Sequence, residues 1–353
     1  MHQAVIPGQD TFHPRSGYGS MPVRQLGGLR VPAQGLGCMG LSEFRGPVEP
    51  GEALRAVHRA LDMGVTMLDT ADIYGLGHNE SLVGRAVRGR RDQAVIATKC
   101  GIVRGRGEAG RRLCGTRRNI KESCERSLAR LGVDHIDLFY LHRVDPDTPI
   151  EESMLGMAEL IAEGKIWYVG LSEAGPETIR RAHAVVPITA LQSEWSLFSR
   201  EVEGEALGVC RELGIGVVAF SPLARGLLSG GIRRLGDLSD RDERRINPRF
   251  HPGNFDRNMR LVAALEDVAA RMGITVAQLA LAWVHHQGPD VVPIPGAEHA
   301  SHVADNVKAA SVTLGAEDLA LLERLSPAEA VAGHRMDAVR SGMLPAGKPH
   351  PNS

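Results

Sequence analysis

Residues 136–170 read IDLFYLHRVDPDTPIEESMLGMAELIAEGKIWYVG and contain one complete strand–helix–strand unit. The run Ile136–Leu141 is almost continuously apolar, and so is the run Ile166–Gly170, as is typical of parallel strands buried on both faces. Between them, Ile150–Glu163 has the apolar spacing of a helix, and Gly164 marks its end. The unit predicts two parallel strands joined by one helix.

The same alternation extends in both directions from this unit. Six more segments are predicted as strands: Gln34–Cys38, Val65–Leu68, Ala94–Ala97, Thr189–Gln192, Ile215–Phe220 and Val291–Ile294. Five more are predicted as helices: Gly51–Asp62, Asn79–Arg88, Arg118–Leu131, Pro176–His183 and Glu203–Leu213. Eight strands alternating with helices favour an α/β fold, a closed (β/α)8 TIM barrel, over an open doubly wound sheet.

Three segments lie outside this repeat. Val23–Val31 is predicted to be a β-hairpin that turns at Gly27 and plugs one end of the barrel. Ser221–Phe255 is rich in Gly, Pro and Arg and is predicted to be a long loop over the active face. Leu261–Gln287 is predicted to form two extra helices near the C-terminus, separated at Gly273.

The composition is that of an ordinary globular enzyme, with 353 residues, 43% of them hydrophobic, and a net charge of −1. This charge balance argues against nucleic acid as a partner, and no apolar run approaches the roughly 18 residues of a membrane span. Five scattered cysteines indicate reduced thiols in a cytoplasmic protein. We expect a flexible leader at 1–20, a single barrel domain at 21–330 and a C-terminal tail at 331–353.

Two other features are interpreted as structural. The arginine-rich stretches Arg104–Arg118 and Arg233–Arg249 are expected to be solvated loops, because acidic residues balance them globally. The histidines His285, His286, His299 and His302 lack cysteine or carboxylate partners at zinc spacing, so no metal site is predicted.

Four ionisable residues follow or end neighbouring predicted strands. They are Asp69, Tyr74, Lys99 and His142. In a barrel, the residues at this end of the strands form the active site. An ammonium beside a phenol lowers its pKa, a carboxylate keeps the ammonium charged, and a histidine can hydrogen-bond a carbonyl. Such a group could protonate a carbonyl oxygen as a hydride reaches its carbon.

These residues resemble the catalytic tetrad of the aldo-keto reductases. Seven motifs agree in order: LDTADIYG (68–75), ATK (97–99), YLHR (140–143), GLS (170–172), LQSEWSL (191–197), FSPL (220–223) and IPG (294–296). The resemblance extends from about Val23 to Asn306, and is greatest to microbial single-domain NADP(H)-dependent reductases and the related potassium-channel β-subunits. It implies reduction of a small-molecule carbonyl substrate by a nicotinamide cofactor, with Tyr74 as the proton donor.

The resemblance also implies a set of cofactor contacts. Ser172 and Gln192 would bind the nicotinamide carboxamide, and Phe220 would stack on the nicotinamide ring. Glu173 follows the serine where the family usually has Asn. The remaining contacts, with the pyrophosphate and the adenosine end, would come from Ser221, Leu223, Arg225, Gly296, His302 and Asn306. Trp195 and Phe44 are expected to line the substrate pocket.

The predicted cofactor is NADP(H), with NAD(H) as an alternative. The positions that usually carry Lys or Arg for the 2′-phosphate hold Ala297, Glu298, His299 and His302. A carboxylate repels a 2′-phosphate and can instead bind a ribose hydroxyl. The residues therefore favour weakened NADPH specificity.

Two other functions remain open from the sequence. One is a redox-sensing regulatory subunit that binds the cofactor but turns over little. The other is a reductase of secondary metabolism that acts on a keto-sugar or a polyketide intermediate. The pocket-forming loops Met39–Gly46, Ile102–Thr116 and Gly226–Phe255 do not identify the substrate, and the sequence predicts no oligomeric state.

Overall fold

The computed structural model describes residues 21–42, 48–104, 111–240 and 242–336. The predicted leader, the pocket residue Phe44 and the tail beyond Met336 lie outside these residues.

A β-hairpin comes first, as predicted. Strands β1 (Val23–Leu26) and β2 (Leu29–Pro32) pair antiparallel, and Gly27 makes the turn at a φ of 50°, which favours glycine. Leu26 packs so closely on Gly216 that a Cβ there would lie 2.4 Å from its Cδ2. The hairpin therefore closes the bottom of the barrel.

The central sheet has eight parallel strands, and the (β/α)8 prediction is confirmed. The strands are β3 (Leu36–Gly37), β4 (Met67–Asp69), β5 (Val95–Cys100), β8 (Ile136–Leu141), β9 (Ile166–Ser172), β10 (Ile188–Glu194), β11 (Gly216–Phe220) and β12 (Val291–Ile294). The sheet runs in the order β12-β11-β10-β9-β8-β5-β4-β3, and a bridge between Gly37 and Gly296 brings its two edges together.

Helices surround the sheet and bury their apolar faces against it. They are α1 (Pro50–Asp62), α2 (His78–Ala86), α3 (Arg117–Leu131), α4 (Ile150–Ala162), α5 (Pro176–Val185), α6 (Glu205–Glu212), α7 (Pro252–Arg271), α8 (Val276–His285), α9 (Ala300–Val307) and α10 (Ala316–Leu325). Taken singly, none of the described helices is both long and apolar enough to cross a membrane; only α7 and α8 together, bent by 87°, reach that length and composition.

Two loop predictions need correction. The segment Ile102–Thr116 contains a second antiparallel hairpin, β6 (Ile102–Arg104) with β7 (Arg111–Leu113). The long loop after β11 ends earlier than predicted, because Pro252 begins helix α7.

One residue of the arginine-rich loops is also not solvated. Arg249 is buried and donates from Nη2 to the carbonyl of Phe198 at 2.6 Å and from Nη1 to Ser199 Oγ at 2.8 Å. The loop uses this side chain as an internal anchor, which a composition argument does not detect.

Candidate active site

The alternation of side chains along the strands brings the predicted tetrad together. Residues Met67, Ala97 and Tyr140 belong to the apolar cluster inside the barrel. Two positions further along their strands, where side chains point to the same face, stand Asp69, Lys99 and His142. All three are therefore directed into the top of the barrel.

The buried ammonium of Lys99 is the centre of this group. Its Nζ donates to Asp69 Oδ1 at 2.5 Å and to the carbonyl of Thr70 at 2.7 Å. The same Nζ lies 5.3 Å from the centroid of the Tyr74 ring, which follows β4 in a short turn. The Tyr74 ring meets His142 edge-on with the centroids 5.9 Å apart. The four residues thus form one cluster.

The charges of the cluster follow from burial and mutual contact. Burial lowers the pKa of the Lys99 ammonium, but attraction to Asp69 and Tyr74 outweighs it and raises that pKa above its ordinary value. Burial raises the pKa of the Tyr74 phenol, while Lys99 and Arg143 act in the opposite direction. The sequence argument considered only the effect of Lys99; desolvation, which it omitted, decides the net direction.

His142 is neutral for the same physical reasons. Burial, followed by repulsion from Arg143 and Lys99, lowers the pKa of its imidazole well below the ordinary value of 6.5. A neutral imidazole carries one N–H and can donate a hydrogen bond to a substrate oxygen.

A cavity opens above the tetrad at the carboxyl ends of the strands. Its wall contains the following predicted site residues: Asp69, Tyr74, His142, Ser172, Gln192, Phe220, Ser221, Arg225 and Gly296. Lys99 lies beneath this wall. Among the described residues, Leu223, His302 and Asn306 are not part of the cavity lining. His302 meets the ring of His299 edge-on, with the centroids 5.2 Å apart, and Asn306 is buried in α9.

The two residues predicted to bind the carboxamide, Gln192 and Ser172, are held in place by hydrogen bonds to other side chains. Gln192 Nε2 donates to Asp69 Oδ2 at 2.7 Å, which leaves its carbonyl oxygen as the remaining polar atom. Ser172 Oγ accepts from Arg143 Nη1 at 2.9 Å. The first contact joins β10 to β4 across the barrel, and the second joins β9 to the residue that follows His142.

The loop after β11 carries concentrated backbone strain. Ser221, Ala224 and Arg225 all have positive φ, at 49°, 48° and 57°. Such conformations cost free energy in residues other than glycine and cluster at ligand sites. Arg225 Nη2 donates to Glu194 Oε2 at 3.1 Å from this loop. The arrangement is suited to an anionic group such as a pyrophosphate.

Trp195 and Phe44 were both predicted to line the substrate pocket, but only Trp195 lies among the described residues. Trp195 is not in the described cavity wall: it is 1% exposed, and its Nε1 donates to Glu203 Oε1 at 2.8 Å. The reason is strand alternation, because Trp195 is an odd number of positions after Gln192 and points to the outer layer. Phe44 lies outside the described residues.

Several residues of the cavity wall were not named individually from the sequence. They are Arg111, Arg143, Glu243, Arg244, Asn247 and Met336, of which Arg111, Glu243, Arg244 and Asn247 lie in the loops expected to form the pocket. Arg143 stands in the YLHR motif, and this was the signal that could have identified it. Arg111 and Arg244 belong to the stretches interpreted as solvated loops; both are partly buried and border the cavity. Among the described residues, no group of three or more His, Cys, Asp or Glu side chains is arranged to hold a metal ion.

Several known proteins are similar to this chain in both sequence and architecture. The model of the aldo/keto reductase family matches residues 34–327. A glycerol dehydrogenase from Gluconobacter oxydans is 30% identical with a TM-score of 0.79, over 86% of this chain and 94% of that one. An aldo-keto reductase from Bacillus halodurans in its holo form is 31% identical with a TM-score of 0.71, over 87% and 97%. An aldo/keto reductase from Klebsiella pneumoniae, in complex with NADP and acetate, is 30% identical with a TM-score of 0.70, over 89% and 98%.

Proposed function

We propose that this chain, which belongs to the aldo/keto reductase family and is an NAD(P)H-dependent oxidoreductase, reduces an aldehyde or ketone to an alcohol with Tyr74 as the proton donor. The observation that carries the proposal is the buried Lys99 ammonium, which contacts Asp69 and lies beside the Tyr74 ring. A buried ammonium is costly unless it is paired, and Asp69 supplies this pairing, so a stable positive charge is kept beside the Tyr74 phenol.

The chemistry of the chain's own residues is a proton transfer. A bound nicotinamide cofactor supplies the hydride that adds to the carbonyl carbon. As the carbonyl oxygen gains electron density, the Tyr74 O–H bond breaks and its proton forms the new alcohol O–H bond. The Lys99 ammonium stabilises the phenolate that remains, and Asp69 holds that ammonium in place. The phenolate then regains a proton from water.

His142 positions the carbonyl in this scheme. Its neutral imidazole donates to the carbonyl oxygen and holds it against the Tyr74 hydroxyl. A neutral donor suits this role, because a charged imidazolium beside Lys99 and Arg143 would be strongly repelled.

The residues of the cavity fit a nicotinamide cofactor. Ser172 and Gln192 offer polar atoms for a carboxamide, and Phe220 offers a ring for stacking. We assign the pyrophosphate to the strained loop Ser221–Arg225, because Ser221 and Arg225 border the cavity. Gly296, His302 and Asn306 would hold the adenosine end.

For the cofactor we propose NADP(H), supported by the NADP complex of the related Klebsiella enzyme. The competing choice is NAD(H), because Glu298, His299 and His302 occupy positions expected to hold lysine or arginine. We expect the Kd of NADPH to be at most about tenfold below that of NADH, as a neutral histidine is a weak ligand for a phosphate. Titration of the protein with each reduced cofactor measures the ratio, and a strong preference for NADPH would contradict the weakened phosphate pocket.

The function is tested with the variant Tyr74→Phe, which removes one oxygen and keeps the ring. We expect it to bind the reduced cofactor with an unchanged Kd but to lose at least about a hundredfold in kcat with an aromatic aldehyde, as is usual when a general acid is removed. The matched control is Tyr168→Phe, which removes the hydroxyl of a half-buried tyrosine that hydrogen-bonds the carbonyl of Gly28 in the hairpin. Equal kcat values for the Tyr74 variant and the wild type would refute the proposed proton donor.

The fold and composition further support a cytoplasmic barrel domain acting on a small-molecule substrate. All five cysteines, which lie among the described residues, are free thiols. Saturable cofactor binding without turnover on any simple carbonyl would favour the alternative of a regulatory subunit or a narrow natural substrate.

A further inference from the structure

Arg143 is a cationic side chain of the cavity wall that the proposed proton transfer does not use. Its Nη1 donates to the carbonyl of His142 at 2.6 Å and to Ser172 Oγ at 2.9 Å. These two contacts fix the plane of the guanidinium between the tetrad and Ser172. Among the described residues, Nε and Nη2 have no hydrogen-bond acceptor, and the side chain borders the cavity.

Glu173, the residue after Ser172, does not supply a hydrogen-bond donor to the cavity. Glu173 follows Ser172 with a φ of 56°, and its carboxylate is turned away from the described cavity wall. Its Oε1 accepts from the backbone N–H of Glu194 at 2.8 Å and from Arg335 Nη1 at 3.1 Å. Its Oε2 accepts from Arg335 Nη2. Arg335 therefore pairs with the buried carboxylate of Glu173, which is not part of the described cavity wall.

The free N–H groups of Arg143 can be matched by a neutral hydrogen-bond acceptor in the cavity. Glu173 attracts its guanidinium, while Arg335 and Arg225 repel it, so the side chain belongs to a cluster whose carboxylates are already paired. An arginine stays protonated at any working pH. Its unused N–H groups at the cavity wall are strong donors, and an amide oxygen matches them without adding a charge.

We propose that Arg143 is a third residue, besides Ser172 and Gln192, that binds the nicotinamide carboxamide, donating to its oxygen beside Ser172, while the Glu173–Arg335 pair keeps the carboxylate of Glu173 out of that position. This inference rests on the proposed function, since it needs a nicotinamide cofactor in the cavity. Arg143 acts here on the cofactor and also on His142, whose carbonyl it binds.

The experiment compares two ligands that differ only in the nicotinamide. NADPH carries the carboxamide, and 2′-phospho-ADP-ribose lacks the whole nicotinamide ring. Their Kd values are measured by calorimetry for the wild type, Arg143→Gln and Arg143→Lys. The Lys variant keeps the positive charge but loses the planar fork, and it serves as the second variant should the Gln variant fold poorly. Arg111→Gln is the matched control, because it removes a different arginine from the same cavity wall.

We expect Arg143→Gln to weaken NADPH binding about tenfold, the effect of losing one charge-assisted hydrogen bond, and to leave binding of 2′-phospho-ADP-ribose unchanged. Arg143→Lys should lie between this variant and the wild type, and Arg111→Gln should leave the ratio of the two Kd values unchanged. An equal loss for both ligands in Arg143→Gln, or no loss for either, would overturn the inference while leaving the proposed function intact. Failure of the wild type to bind NADPH and NADH would overturn the proposed function and this inference with it.

Discussion

At the scale of single residues, the site depends on how burial and pairing change proton affinities. Lys99 is completely buried yet keeps its charge because Asp69 is in contact with it. Burial raises the pKa of Tyr74 and lowers the pKa of His142, since it disfavours the charged form of each side chain. The phenol stays protonated and the imidazole stays neutral across the physiological range.

A pH profile of turnover follows from these directions. The pKa of His142 lies well below 6.5, and that of Tyr74 lies above 10.0. We expect kcat to show no inflection near the ordinary histidine pKa and no fall up to about pH 10, because Tyr74 ionises only above its ordinary value of 10.0. Steady-state kcat measured from about pH 5.5 to 10, a range set by the ordinary histidine and tyrosine values, checks this. A loss of kcat with a midpoint near 6.5 would contradict a neutral His142.

At the scale of elements, the parallel strands determine which side chains meet. Every tetrad residue except Tyr74 stands two positions after an interior apolar residue of its own strand. The same rule directs Ser172, Gln192 and Phe220 into the cavity and Trp195 out of it. The segment Val331–Met336 adds a non-barrel element, because Arg335 is buried against Glu173 and Met336 borders the cavity.

The contribution of that segment can be measured through Arg335. We expect Arg335→Met to lower the free energy of unfolding by about 3–5 kcal/mol, because it leaves the buried carboxylate of Glu173 without its closest cation. Urea denaturation measures this change. Arg181→Met is the matched control: its ion pair with Glu151 is exposed and screened by water, so the loss of stability should be far smaller.

The double variant Arg335→Met with Glu173→Gln separates charge from packing. We expect it to recover part of the lost stability, because no uncompensated carboxylate remains. Equal losses for Arg335→Met and Arg181→Met would contradict a structural role for the C-terminal segment.

At the scale of the whole molecule, the repeating strand–helix pattern could be predicted from the sequence. Contacts between residues far apart in the chain could not. The eight strands, the hairpin and the clustering of Asp69, Tyr74, Lys99 and His142 follow from local patterns and from the rule for barrel strand ends. The pairing of Glu173 with Arg335 could not be predicted, because 162 positions separate the two residues and nothing local marks either one. The β6–β7 hairpin was missed because its short strands are rich in arginine and lack apolar alternation.

In the proposed function, the barrel serves one event: the transfer of a hydride to a carbonyl carbon, with a proton from Tyr74. The most direct measurement is the comparison of the wild type with Tyr74→Phe, using a reduced cofactor deuterated at the transferred position and an aromatic aldehyde. We expect the wild type to form an alcohol with deuterium on its carbinol carbon, with one deuterium transferred per cofactor oxidised. The Tyr74→Phe variant should form almost no alcohol while still binding the cofactor. An alcohol without that deuterium, or undiminished turnover by the variant, would contradict the account.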